Sequence, residues 1–455
     1  MVIFLKVIQV VFALSILVLV HELGHFLFAR LFKIRVDKFY LFFDAGFALF
    51  RWKPKNSDTE YGIGWLPLGG YCKIAGMIDE SMDKEQMKSD PKPWEFRAHP
   101  AWQRFWVLFG GVFFNFLLAI LIYAGILFTW GEEYIKTKDV TTGVAVNQLG
   151  REIGFRNGDK IIAFNGVPTD NFANLRADLI HRQATEATVI RNGKKITVNI
   201  DPDYIPAILN SPDLFEYGIP FIVGAIPDTS QNVHSGLKVG DIIIAVDSIN
   251  AEMFTDVKDY LEKHKGDTIQ ATILRDNKIA SASQSQPSVS RETLQIPLAV
   301  NKAGRLNVGM GGDVTKYYKV TKKTYSLAGS VPAAFSKAST GISNYWKELK
   351  LIFTPKTEAY KSVGSFIAIG QIFPGYWDWH AFWSITAFLS IMLAVLNILP
   401  IPALDGGHIL FTFYEIVTGR KPSDKFLMAA QVVGMILLIA LMVLAFGNDI
   451  ARLFR

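Results

Sequence analysis

The chain has 455 residues, half of them hydrophobic and only 19% charged, a balance that excludes intrinsic disorder, a collagen-like fibre and a nucleic-acid-binding tail. With 34 Phe, 10 Trp and several uninterrupted apolar runs, part of its surface is expected to face lipid. The net charge of +6 is mild and informative only in its placement, while the lone Cys72 permits neither an intrachain disulfide nor a thiolate metal cluster.

The first apolar stretch, Val7 to Val20, is only 14 residues long and would rise about 21 Å as a helix, too short to span. Continued through His21-Glu22-Leu23-Gly24-His25 into Phe26-Leu27-Phe28 it reaches spanning length, which puts the polar trio inside a membrane helix or at its end. A cleaved signal peptide is disfavoured, because that motif stands where a small-residue cleavage site would follow Val20. Phe105 to Phe128 and Ala381 to Leu404, 24 uncharged residues each, and Phe426 to Phe446, with 21, are the other three predicted spans. Arg30, Lys33, Arg35 and Lys38 after the first span, and Lys92, Arg97 and Arg104 before the second, place that loop in the cytoplasm. Arg420, Lys421 and Lys425 between the last two spans agree, whereas Arg452 and Arg455 run against the rule.

Residues 131 to 380 have ordinary soluble composition and contain a repeat. Gly154-Phe155 and Gly158-Asp159-Lys160-Ile161-Ile162 return 82 residues later as Gly236-Leu237 and Gly240-Asp241-Ile242-Ile243-Ile244. Each copy reads as a short helix, a Gly-Asp turn and an apolar strand, followed by β-rich segments such as Ala187 to Arg191 and Gln270 to Arg275. The pattern resembles a tandem pair of PDZ domains, which implies grooves that take an extended peptide as an added strand. A duplicated β-rich spacer that gates by bulk alone is the competing reading. From Tyr317 to about Lys361 the chain is amphipathic and Lys-rich, fitting helices on the membrane surface or a helix packed under the repeats.

His21-Glu22-x-x-His25 on a helix sets two imidazoles one turn apart on one face, with Glu22 beside them and free to act as a base. Burying two His and a Glu in hydrocarbon without a task costs several kcal/mol, roughly 2.5–3.5 for a central acidic charge alone. A hydrolytic zinc needs a third protein ligand and an open position. Asp405 is the best candidate. It lies in Asn397-Ile398-Leu399-Pro400-Ile401-Pro402-Ala403-Leu404-Asp405-Gly406-Gly407-His408, where two prolines break helical hydrogen bonding and two glycines permit a sharp turn. The predicted topology brings all three ligands toward the same leaflet, and His408 is the rival for the third position.

Together, the His-Glu-x-x-His motif, the Asn-x-x-Pro-x-Pro-x-Leu-Asp-Gly-Gly-His motif and the modules between the second and third spans resemble the site-2 protease family of intramembrane zinc metalloproteases. The resemblance implies that His21, His25 and Asp405 carry Zn2+, that Glu22 is the catalytic base, and that Asn397 holds substrate or stabilises the developing oxyanion. The segment Tyr61 to Tyr71 looks like the family's membrane-associated β-hairpin, with Gly62 and Gly64 allowing close approach of a strand-like substrate. Gly110-Gly111-x-x-x-Asn115 matches the family's Gly-x-x-x-Asn element, with Gly111 where Pro is common, a departure expected to touch none of the ligands. Ser362 to Gly370 resembles a Gly-Pro-Ile stretch, with Ser365 in place of the proline.

The expected fold is therefore a polytopic α-helical membrane protein with four transmembrane helices, a membrane-associated β-hairpin and two inserted PDZ-like α+β domains. Its parts would be residues 1–130, 131–222, 223–312, an amphipathic linker at 313–380, and 381–455. The family likeness implies single-span membrane substrates, such as an anti-sigma factor after a prior cut, and leftover signal peptides. It implies a bacterial inner membrane with the PDZ-like domains on the periplasmic side, the lipid bilayer and PDZ-groove peptides as further partners, and no nucleic acid. A membrane-anchored PDZ scaffold with an inactive metal site is the alternative from another functional class.

Overall fold

The computed structural model describes residues 2–67, 69–77, 90–251, 253–279, 288–311, 315, 317–354 and 357–453. Leu68 of the expected hairpin, the domain limit at 312–313 and Arg455 lie outside them. The chain forms two units, Met1–Gly131 with Thr324–Arg455, and Glu132–Lys323.

In the first unit, helix α1 (Val2–Leu31) runs unbroken for 30 residues through the His-Glu-x-x-His motif. Helix α2 (Ala101–Thr129) starts after Pro100 and lies alongside α1. The two backbones meet at Gly24 and Gly110, where a Cβ on either residue would strike the carbonyl of the other. Small residues at a crossing give membrane helices the close packing that hydrocarbon itself does not drive. Helix α3 (Leu327–Ile352) packs on α2 and on α5 (Trp379–Asn397), its Ala338 and Leu349 buried with Ala119, Ile391 and Val395. The helix of the amphipathic stretch thus packs along two of the spans. Helix α4 (Phe366–Ile372) follows Ser365, whose hydroxyl caps it by accepting from the Ile367 N–H. Asp449, on α7 (Asp424–Leu453), accepts from the Ser365 hydroxyl and from the Ser365 and Ala368 N–H groups.

Helices α1, α2, α5 and α7 are the four long and apolar enough to cross a membrane among the described residues. The third is shorter than the uncharged run from which it was expected, because α5 ends at Asn397 rather than Leu404. Pro400 has no N–H to give the Leu396 carbonyl and its ring would clash there, so the chain turns through residues 398–404. Helix α6 (Asp405–Thr418) then begins, with Asp405 as its first residue. The turn is tight enough that a Cβ on Gly406 would run into the Leu399 carbonyl, and one on Gly407 into the Pro402 backbone. A buried ion pair between Arg104 of α2 and Glu415 sets how α6 lies on α2.

Between α1 and α2 lies a sheet of β1 (Val36–Leu41), β2 (Phe43–Trp52), β3 (Glu60–Leu66) and β4 (Tyr71–Ile74), in the order β2-β3-β1-β4. Residues 61–71 are therefore not a hairpin of their own. β3 pairs with β1 in parallel and β4 pairs with β1 from the opposite side, while the antiparallel partner of β3 is β2. The true hairpin is β2–β3, and β4 forms an edge of the sheet.

In the second unit the repeat takes the same form twice. Strand Lys160–Phe164 sits beside Glu186–Arg191 in one sheet, and strand Ile242–Val246 sits beside Thr268–Ile279 in another. Asp159 is fully buried and accepts from Arg191 Nε and Nη2 at 2.7 and 2.8 Å, and Asp241 accepts from Arg275 Nε and Nη2 at 2.8 and 2.7 Å. Each arginine also donates to the carbonyl of the repeat's leading glycine, Gly154 or Gly236, at 2.8 Å. The copies differ where a helix was expected in both: Gln148–Ile153 is helical, whereas residues 231–236 are turns and bends. Strand Val320–Lys323, expected in the linker, pairs instead with Glu132–Ile135 at the start of this unit.

Candidate active site and metal centre

His21 and His25 lie on the buried face of α1, 8% and 7% exposed, and each ring is held by its Nδ1. His25 Nδ1–H donates to the Val107 carbonyl of α2 at 2.8 Å. The Asn115 carboxamide of α2 stands 3.1 Å from His21 Nδ1. The two ends of a carboxamide are interchangeable in position, and the orientation in which Oδ1 accepts from Nδ1–H gives that otherwise unpartnered oxygen a donor. Both imidazoles then present a bare Nε2.

The two Nε2 atoms are 3.2 Å apart, and Asp405 Oδ2 lies 3.2 and 3.4 Å from those of His21 and His25. Asp405 Oδ2 is buried and has no hydrogen-bond partner. Three lone-pair donors facing one another without a proton between them repel, and a cation among them removes the repulsion. Tetrahedral zinc with bonds of about 2.0–2.1 Å has ligand–ligand edges of about 3.3–3.4 Å, so the trio fits the ion in both chemistry and spacing. Among the described residues it is the only grouping of three His, Cys, Asp or Glu able to share an ion. Asp405 also sits at a helix N-terminus, where the backbone dipole favours a carboxylate. His408 lines the same cavity but stands outside the trio.

Gly111 forms the floor of this centre, contrary to the expectation that it touches no ligand. A Cβ there would lie 2.5 Å from His21 Cε1 and 2.5 Å from His25 Nε2. Asn397, the last residue of α5, has Nδ2 3.2 Å from His21 Nε2.

Glu22 follows His21 and so points about 100° away around the helix, toward β4. It faces Cys72 of β4, which lines the same cavity. Gly70 makes that approach possible, because a Cβ there would lie 2.7 Å from Val18 Cγ1 and 2.7 Å from the Tyr40 carbonyl. The cavity in front of the trio holds about 520 Å³ and is lined by His21, Glu22, His25, Gly70, Tyr71, Cys72, Asn397, Asp405 and, from α7, Gln431. Gly62 and Gly64 do not line it. They lie in β3 between two paired strands, where the Tyr40 ring and the Phe43 carbonyl occupy the space a side chain would need.

The neighbouring groups stay protonated. Burial, and then the hydrogen bond to Glu60, pushes the Tyr40 phenol up to about 12. Burial and the bond to Asp44 raise Tyr71, and burial and the Glu22 charge raise the Cys72 thiol. No thiolate or phenolate from these three groups therefore stands beside Glu22 at neutral pH.

Glycines 70 and 111 and the β4 edge were hidden in sequence, since their roles depend on what packs against them. Gln431 had a signal, an amide inside an uncharged run long enough to span.

The profile of Peptidase family M50 matches residues 9–441. Proteins named "Putative zinc metalloprotease" align along nearly the whole chain. The one from Ralstonia nicotianae is 26% identical over 487 residues, covering 99% of both chains. One from Xylella fastidiosa is 28% identical over 457 residues, covering 96% of each, and one from Vibrio cholerae is 26% identical over 474 residues, covering 97% of this chain and 98% of its own.

Proposed function

This chain belongs to peptidase family M50, the site-2 proteases, and is a zinc metalloprotease; from that premise we propose that it cuts single-span membrane proteins within or near their spans. His21, His25 and Asp405 hold the zinc and Glu22 is the base. The observation that carries this reading is the convergence of three buried lone-pair donors at 3.2–3.4 Å beside a free carboxylate, on helices long enough to span a membrane.

Zinc bound by this trio supplies a Lewis acid that polarises the peptide carbonyl and acidifies water. Glu22 takes the proton from the attacking water and passes it to the leaving nitrogen. His25 and His21 are kept in the ligand tautomer by Val107 and Asn115. Asn397, on the open side of His21, binds the substrate carbonyl as it gains charge.

A peptide bond inside a helix is shielded by its own hydrogen bonds, so the substrate must be unwound before attack. The free edge of β4 runs past Glu22 and can pair with the unwound strand, the role first given to Gly62 and Gly64. The β2–β3 hairpin bears exposed Phe47, Leu49, Phe50, Trp52 and Trp65, which suits a position in the bilayer interface. In this reading the loop carrying the sheet is cytoplasmic, the membrane is a bacterial inner membrane, and the repeats are PDZ-like modules on the periplasmic side that filter substrates by size or bind peptide. Substrates already shortened outside the membrane, anti-sigma factors and signal-peptide remnants among them, suit such a filter.

The test uses purified protein and a single-span substrate, with products located by mass spectrometry. Glu22→Gln should abolish cleavage while zinc stays near one per chain. Undiminished cleavage by that variant would remove the mechanism.

A further inference from the structure

We propose that Gln431 of α7 is a substrate-positioning residue, whose carboxamide oxygen accepts a hydrogen bond from a backbone N–H of the peptide being cut. The inference rests on the protease reading above and adds the far wall of the substrate cleft to it.

Gln431 is 2% exposed, yet it lines the cavity that holds His21, Glu22 and Asp405. Its Oε1 is buried without a hydrogen-bond partner. An amide oxygen stripped of water and left unpaired is costly, so such atoms call for an explanation. Gly434, one turn further along α7, supplies part of it. A Cβ there would lie 2.5 Å from the Pro402 carbonyl oxygen and 2.8 Å from Ala403 N, so α7 is seated directly on the turn that delivers Asp405. Residues three apart share a helix face, and the contact at Gly434 therefore fixes Gln431 toward the centre.

With the carboxamide placed oxygen-inward, the missing partner is a donor. An extended peptide paired with β4 hydrogen-bonds to that strand along one side and turns its remaining N–H and C=O groups outward. The cavity that β4 borders also presents Gln431 as an acceptor. The substrate strand thus lies between β4 and α7, bound through its backbone whatever its side chains.

The experiment measures kcat and KM of the full-length zinc enzyme on a single-span substrate and on a series in which one backbone N–H at a time near the cut is replaced by an ester oxygen. Gln431→Met preserves length and apolar packing while removing the acceptor. It should lower kcat/KM about tenfold with zinc content unchanged, and one ester position that impairs the wild type should have no further effect in the variant. Cleavage equal to wild type, or ester effects that add at every position, would overturn the proposal. Should Met disturb the fold, seen as lost zinc, Gln431→Ala is read by the same two criteria. Failure of the underlying protease reading looks different, because wild-type protein would then leave the unsubstituted substrate intact.

Discussion

Two aspartates of the repeat unit and Asp405 of the membrane unit are treated in opposite ways. Asp159 and Asp241 in the repeat unit are each met by a two-pronged arginine and by one further backbone N–H, from Arg156 and Lys238 at 2.9 and 2.7 Å. Asp405 in the membrane unit faces two imidazole nitrogens and leaves Oδ2 without a hydrogen bond. Satisfied polar groups hold a fold together, whereas an unsatisfied one lining a cavity calls for a partner from outside the chain. The same contrast sets Gln431 apart from Asp449, whose carboxylate is occupied by Ser365 and Ala368.

The contrast can be broken by substituting both kinds of residue. Asp405→Ala should have the largest effect, losing bound zinc and all cleavage, as read by metal analysis of purified protein. Normal zinc content would move the third ligand elsewhere, to His408 first. Gly111→Ala should come next. Its added methyl must displace one or both imidazoles, and zinc affinity measured by competition with a chelator should fall about 10- to 100-fold. An unchanged affinity would mean that α1 and α2 can part without cost. Asp241→Asn, like Asp159→Asn, should destabilise its own copy of the repeat by about 3 kcal/mol, seen as easier denaturant-induced proteolysis of residues 132–323, with zinc content unaltered. Loss of zinc from those variants would show that the two classes of aspartate are not separate.

The sequence brings His21, Glu22, His25 and Asp405 to notice through local spacing and the expense of charge in an apolar run, and the structure sets His21, His25 and Asp405 within reach of one ion. The four spans were legible for the same reason, although Pro400 cuts the third one short at Asn397. The sheet was not. Which strands pair depends on contacts between distant segments, and nothing local in Tyr61 to Tyr71 reveals that β1 lies between β3 and β4. Gly62 and Gly64 lie in β3 inside the sheet, and the edge strand at the cavity is β4. Gly111 has no local signal either, since an absent side chain gains meaning only from the imidazoles that fill its place.

The central claim is that one zinc ion is shared by α1 and the start of α6, and X-ray absorption at the zinc edge tests it most directly. Full-length Glu22→Gln protein is predicted to show two imidazoles and a carboxylate oxygen, a signature that disappears with the metal when Asp405 is replaced. Three imidazoles, or an Asp405→Ala spectrum equal to that of the parent, would contradict it.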